Sequence, residues 1–175
     1  MKVTPQTAKS IGDRTSNRML HYKPKSYIFP PGMVVLVDTR EQLPLFDKQL
    51  PKGLVLCSHT LKDGDYSIGG HQDAFAIERK CLSDLIPYCT AEHAKTKAKM
   101  ERFAKMEWVG LTVEARESEI YSPYTFSNTS PESIRQALVS FSIRYGVHVY
   151  IGSRDNITRW MLDRMIKYYK VKREL

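Results

Sequence analysis

Runs of apolar residues divide this chain into strand-like and helix-like segments. Met33 to Val37 is an unbroken apolar run closing on Asp38, the pattern of a strand buried on both faces. Gln42 to Gly53 holds Pro44, Pro51 and Gly53 and reads as a loop, and Leu54 to Cys57 as a second short strand. Two β-like runs then flank Gly69-Gly70-His71-Gln72-Asp73, a hairpin signature. Leu82, Leu85 and Ile86 give Cys81 to Tyr88 the spacing of a short helix, and Ala91 to Glu107 is rich in good helix formers. Trp108 to Val113 reads as a buried strand and Tyr121 to Ser130 as a loop. Ser130-Pro131-Glu132 predicts a helix start with serine as the cap, running to Tyr145 with Gly146 as its stop. A strand at Val147 to Ile151 and a helix at Asp155 to Lys170 complete the chain. Strands first, then strands alternating with helices, predict an α/β fold with a mixed central sheet flanked by helices.

Charge changes this picture at the two ends. The chain has 175 residues and a formal charge of +8. Lys2, Lys9, Arg14, Arg18, Lys23 and Lys25 face a single acid, Asp13, before residue 33, and Lys167, Lys170, Lys172 and Arg173 face only Glu174 at the other end. The body between them is balanced. Basic ends favour a polyanion partner, although a polar tail is also simply a solvated tail. No apolar run is long enough to span a membrane, and the first twenty residues lack the apolar core of a secretory signal. Cys57, Cys81 and Cys89 cannot all pair within one chain and form no CxxC. Free thiols in a reducing, intracellular compartment are expected, cytoplasmic or nuclear according to the host. Cys57 and Cys81 are expected to be small buried residues.

Candidate chemistry concentrates in residues 64–84. With the hairpin turn centred between His71 and Gln72, the ladder runs outward until Asp65 opposes Glu78. Lys80 shares the face of Glu78, and Arg79 points to the other. Two facing acids repel unless a cation lies between them, and hard carboxylate oxygens suit Mg²⁺, with Mn²⁺ as a substitute. A lysine beside such an ion can orient a water and steady phosphoryl charge. Asp38, at the end of the first strand, is a third candidate carboxylate. Taken alone, such a triplet is more often an ordinary surface hairpin with a Glu–Lys pair. Lys95, Lys97, Lys99, Arg102 and Lys105 make the helix at 91–107 basic, fit either for DNA phosphates or for plain solvation.

The motif order adds a resemblance. Gly64-Asp65, twelve residues, Glu78-Arg79-Lys80, three residues, then Asp84 resembles the GDX(n)ERKX(3)D signature of XPF-type structure-specific DNA endonucleases. Val37-Asp38-Thr39-Arg40-Glu41 resembles the VDTRE segment that opens the same nuclease domain. The resemblance implies a restriction-endonuclease-like core at residues 33–175, after a basic arm at 1–32. It implies Mg²⁺-dependent cleavage of branched or flapped DNA in repair or recombination, and a homodimer or heterodimer through the nuclease domain. By position, Asp65 and Glu78, with Asp38, would bind metal. Lys80 would serve the attacking water, and Arg40, Glu41, Arg79 and Asp84 would complete the shell, Arg79 bracing the hairpin from behind. Two alternatives remain: a non-catalytic DNA-binding or scaffolding subunit of the same fold, and a junction resolvase or restriction-type nuclease. Trp160, Met161, Met165, Tyr168 and Tyr169 make the last helix the expected self-association surface.

Overall fold

A computed structural model describes residues 27–46 and 51–174. Most of the expected basic arm, residues 1–26, lies outside the described residues. Among the described residues, six strands form one mixed sheet: β1 (Val35–Asp38), β2 (Leu56–His59), β3 (Tyr66–Ile68), β4 (Phe75–Cys81), β5 (Trp108–Glu114) and β6 (His148–Gly152). Their spatial order is β2-β1-β3-β4-β5-β6. Strands β1, β3 and β4 are antiparallel neighbours, while β2 joins β1, β5 joins β4 and β6 joins β5 in parallel. Among the same described residues, five helices connect or flank them: α1 (Leu82–Cys89), α2 (His93–Phe103), α3 (Glu117–Tyr121), α4 (Pro131–Tyr145) and α5 (Arg154–Glu174). This is the mixed sheet flanked by helices that the sequence predicts.

Side-chain alternation along β4 and β5 sorts the core into two layers. Ala76, Val109, Leu111 and Val113 pack with residues of α1, α2 and α4, among them Leu85, Met100 and Phe141. Phe75 and Ile77 lie on the other side, with Tyr66, Ile68 and the α5 residues Ile157, Met161 and Met165. Gly110 opens room in that second layer, since a Cβ there would stand 2.9 Å from Trp160 and 3.0 Å from Trp108. The apolar load of α5 is therefore spent within the chain: Trp160, Met161 and Met165 are buried, and Tyr168 rests on Phe75 with ring centroids 4.9 Å apart.

Three local expectations change. Strand β2 starts two residues later than the apolar run, because it is an edge strand with mostly exposed side chains. Ser130 caps α4 through its carbonyl rather than its hydroxyl: Ser133 N–H, the usual partner of a capping side chain, bonds Ser130 O at 3.0 Å. Cys57 is exposed on the same edge strand and Cys81 is half-buried, so neither is a core residue. Gly146 ends α4 in the left-handed conformation, as expected. No helix among the described residues is long and apolar enough to cross a membrane.

Candidate active site

Gly64 and Asp65 form the approach to the β3–β4 hairpin. Gly64 has φ +82°, and a Cβ there would press to 3.1 Å from the Ile77 carbonyl oxygen. Only glycine lets the chain pass this close to β4. Asp65 N–H donates to Ile77 O at 2.8 Å, and Arg79 N–H donates back to Asp65 Oδ2 at 2.6 Å. Tyr66 pairs with Ile77, which is the register that sets Asp65 opposite Glu78.

Glu78 is 1% exposed and projects toward the α1–α2 layer. Two ammonium groups meet it there. Lys80 Nζ lies 2.5 Å from Oε1, and Lys99 Nζ donates to Oε1 at 2.9 Å and Oε2 at 2.8 Å. Lys80 also sits 5.1 Å from the centroid of the Tyr88 ring. Burial works against a charged Glu78, but Lys99 and Lys80 outweigh it and hold its carboxyl below the usual range. Burial, and then the Glu78 charge, push the Asp65 carboxyl up to about 7. Burial opposes the charge on Lys80 too, yet Glu78 and Asp65 raise its pKa, so it stays an ammonium. Lys80 in this state is a cation beside Glu78 and not a base.

Asp38 and Arg40 form a compact unit beside this pair. Asp38 N–H donates to Asp65 O at 2.8 Å, so the end of β1 abuts the hairpin. The Asp38 carboxylate is saturated: Oδ1 accepts Arg40 N–H at 2.9 Å and Arg40 Nε at 2.7 Å, and Oδ2 accepts Leu61 N–H at 2.7 Å and Arg40 Nη2 at 3.0 Å. Those bonds, Arg40's first, hold its pKa at about 2. The Arg40 side chain remains 68% exposed. Asp38 thus has its oxygens committed to the β1–loop junction, whereas Asp65 Oδ1 accepts from no group among the described residues.

Arg79 projects to the opposite side of β4, as the alternation predicts. Its guanidinium pairs with Glu114, reaches Glu41 at 3.4 Å and donates to Leu43 O at 3.3 Å. Arg154, at the start of α5, joins this group through Glu114 at 3.6 Å and Pro44 O at 2.6 Å. Glu41 and Arg79 therefore brace the hairpin and the 41–46 loop rather than facing Glu78. Asp84 is exposed in the first turn of α1, where its carboxylate accepts from the Cys81 thiol at 3.1 Å.

Neither a protein-family profile nor a curated protein matches the chain. Among solved structures it is similar to XPF from Aeropyrum pernix, with TM-score 0.59 and 20% identity over 78% of this chain and 65% of that one. It is likewise similar to XPF from Aeropyrum pernix in complex with DNA, with TM-score 0.62 and 20% identity over 79% of this chain and 66% of that one. The chain has an XPF-type nuclease fold. It spans just under two thirds of the length of those structures.

The XPF-type fold assembles groups that the motifs alone did not point to. Lys99 and Arg102 turn inward from α2: Lys99 to Glu78, and Arg102 to Asp63, a 4% exposed carboxylate held at 2.6 Å. The available signal was helical spacing, since Thr96, Met100 and Phe103 form the buried face and Lys99 flanks it. Among the described residues, no three His, Cys, Asp or Glu side chains cluster as a ready-made metal cage. The donor set nevertheless fits a hard divalent cation. It offers two carboxylates at facing positions of one hairpin, one of which has its pKa raised by burial and by the charge of the other.

Proposed function

We propose that the chain is a metal-dependent DNA endonuclease hydrolysing phosphodiester bonds in branched or flapped DNA, in repair or recombination. One observation carries the reading: Asp65 and Glu78 meet at the open end of a hairpin, with Lys80 on Glu78, in an XPF-type fold. A similar structure of XPF in complex with DNA supports DNA as the partner, as does the net charge of +8. Mg²⁺, or Mn²⁺ in its place, would neutralise phosphate charge and acidify a water, held by Asp65 and Glu78. Lys80 adds an ammonium beside the Glu78 carboxylate that orients water and stabilises phosphoryl charge. Arg40, pinned by Asp38 and largely exposed, would meet a backbone phosphate. A dimer of nuclease-type subunits belongs to the same reading. With α5 covered, Val139 and Ile143, one turn apart on α4 and 50% and 82% exposed, are its contact residues.

The test is Mg²⁺-dependent cleavage of labelled flap, fork, four-way and linear duplex DNA. The unaltered protein is expected to cut a branched substrate and Glu78→Gln to fail. Lys80→Ala should be slower by about 10²–10³-fold, the usual loss for one electrostatic donor. Equal cutting by Glu78→Gln refutes the assignment. The second reading, a non-catalytic DNA-binding subunit, is favoured by the two lysines on Glu78, an arrangement that also serves as a structural ion triad. DNA binding without cleavage in Mg²⁺ or Mn²⁺ would establish it.

A further inference from the structure

Glu78 is met by two ammonium groups, and the facing Asp65 adds a second carboxyl to the same site. The two partners differ in kind. Lys80 stands two residues along the same strand, with its backbone paired to Val113 of β5, and it has further contacts in Arg79 O at 3.4 Å and the Tyr88 ring. Lys99 arrives from a helix, and Glu78 is the only partner of its ammonium among the described residues. Its side chain is 27% exposed, so a path to solvent is open. It also straddles both oxygens of Glu78, and a cation that uses this carboxylate must take or share that place.

We propose that Lys99 is a positioning residue that occupies the cation's place on Glu78 and is exchanged for the divalent ion when it binds. The inference rests on the metal-binding reading above and gives it a built-in competitor. Before exchange, Lys99 keeps a 1% exposed carboxylate ionised and oriented. On exchange, its ammonium swings outward from α2 and adds a positive charge beside the exposed Lys95, one turn earlier on the same side of the helix. Metal loading and readiness for a DNA phosphate are then one event. Lys80 stays on the hairpin throughout.

Amine labelling followed by peptide mass spectrometry, with chelator or with saturating Mg²⁺ and no DNA present, reads the exchange directly on the unaltered protein. Lys99 is expected to label slowly in chelator and about tenfold faster with Mg²⁺, the change expected when one charge-assisted contact is broken. Lys95 and Lys97 serve as exposed controls that should not change. In parallel, calorimetry with Mn²⁺ compares the unaltered protein with Lys99→Met, which keeps length and loses charge. The variant is expected to bind Mn²⁺ about tenfold more tightly, because no ammonium has to leave. A purely structural lysine would give a lower melting temperature with unchanged or weaker Mn²⁺ affinity. If Mn²⁺ binds but Lys99 labelling is unchanged or slowed by Mg²⁺, the exchange is wrong while the metal reading stands. If neither protein binds Mn²⁺, both fall. Should Lys99→Met fail to fold, the labelling arm alone decides.

Discussion

Asp65→Asn should make the metal-free protein more stable, and the size of the effect follows from the site. Burial, and the Glu78 charge beside it, raise the Asp65 carboxyl from 3.8 to about 7. A group whose folded pKa lies above its unfolded one weakens the fold as pH rises. Between about pH 4 and 7 the unfolded chain gives up the proton while the folded chain retains it, and above 7 the loss is complete. At about 1.4 kcal/mol per pH unit, roughly three units set a ceiling near 4 kcal/mol. Asparagine keeps the size and one acceptor for Arg79 N–H, but it buries an amide that has to find its own partners. We therefore expect a gain of about 2 kcal/mol at pH 8, or roughly 4–8 °C in melting temperature for a domain of this size.

The assay is a thermal melt of both proteins in chelator at pH 4.5 and pH 8. The variant should melt higher at pH 8, and the gap should shrink by most of its size at pH 4.5, where the folded carboxyl is protonated and the pH lies less than one unit above the unfolded value of 3.8. Saturating Mg²⁺ should then reverse the gap at pH 8. It stabilises only the form that binds it, by about 2.7 kcal/mol at a hundredfold excess over Kd. A variant that melts at or below the unaltered protein at pH 8, or a gap that ignores pH, refutes the account of an Asp65 carboxyl buried beside the Glu78 charge.

Two further outcomes follow from the surrounding charges. Arg79→Ala should cost about 2–4 kcal/mol in a urea titration, because Glu41 loses a buried partner and Glu114 keeps only Arg154; a loss under about 1 kcal/mol would mean the brace is dispensable. Asp38, held at about 2, stabilises the fold above about pH 4, and that contribution is lost as pH falls through 2. The gap between the unaltered protein and Asp38→Asn, about 1–2 kcal/mol after allowing for the exposed Arg40, should shrink on acidification, and a gap constant from pH 5 to 2 would contradict it.

The hairpin was legible because its information is local. Register follows from the turn, and Tyr66 opposite Ile77 is the pairing that a turn centred between His71 and Gln72 dictates. Strand and helix order followed from runs of apolar residues, and Gly146 announced the end of α4. What local pattern could not supply was which face each layer covers. The aromatic weight of α5 looked like an interface because a helix stripe does not say whether sheet or partner will cover it. Gly110, a gap in β5 that admits Trp160, was the clue that the sheet does. Edge position defeated the β2 boundary in the same way, since exposure removes the apolar signal.

Lys99 marks the deeper limit, and a physical argument could have reached it. Alternation along β4 puts Glu78 on the same face as Ala76, whose neighbours in the core are α1, α2 and α4. A carboxylate sealed under a helix layer needs nearby positive charge. Within the hairpin only Lys80 shares its face, and the opposing Asp65 adds repulsion rather than relief. The covering helix should therefore turn a basic residue inward beside its apolar stripe. In α2 that stripe is Thr96, Met100 and Phe103, and Lys99 and Arg102 border it. These are the two whose charged ends pair with buried carboxylates, one with Glu78 and one with Asp63, while Lys95 and Lys97 remain exposed. Basic residues on a helix beside an acidic motif thus divide into those that answer buried charge and those left for a polyanion, and the helical spacing decides which is which.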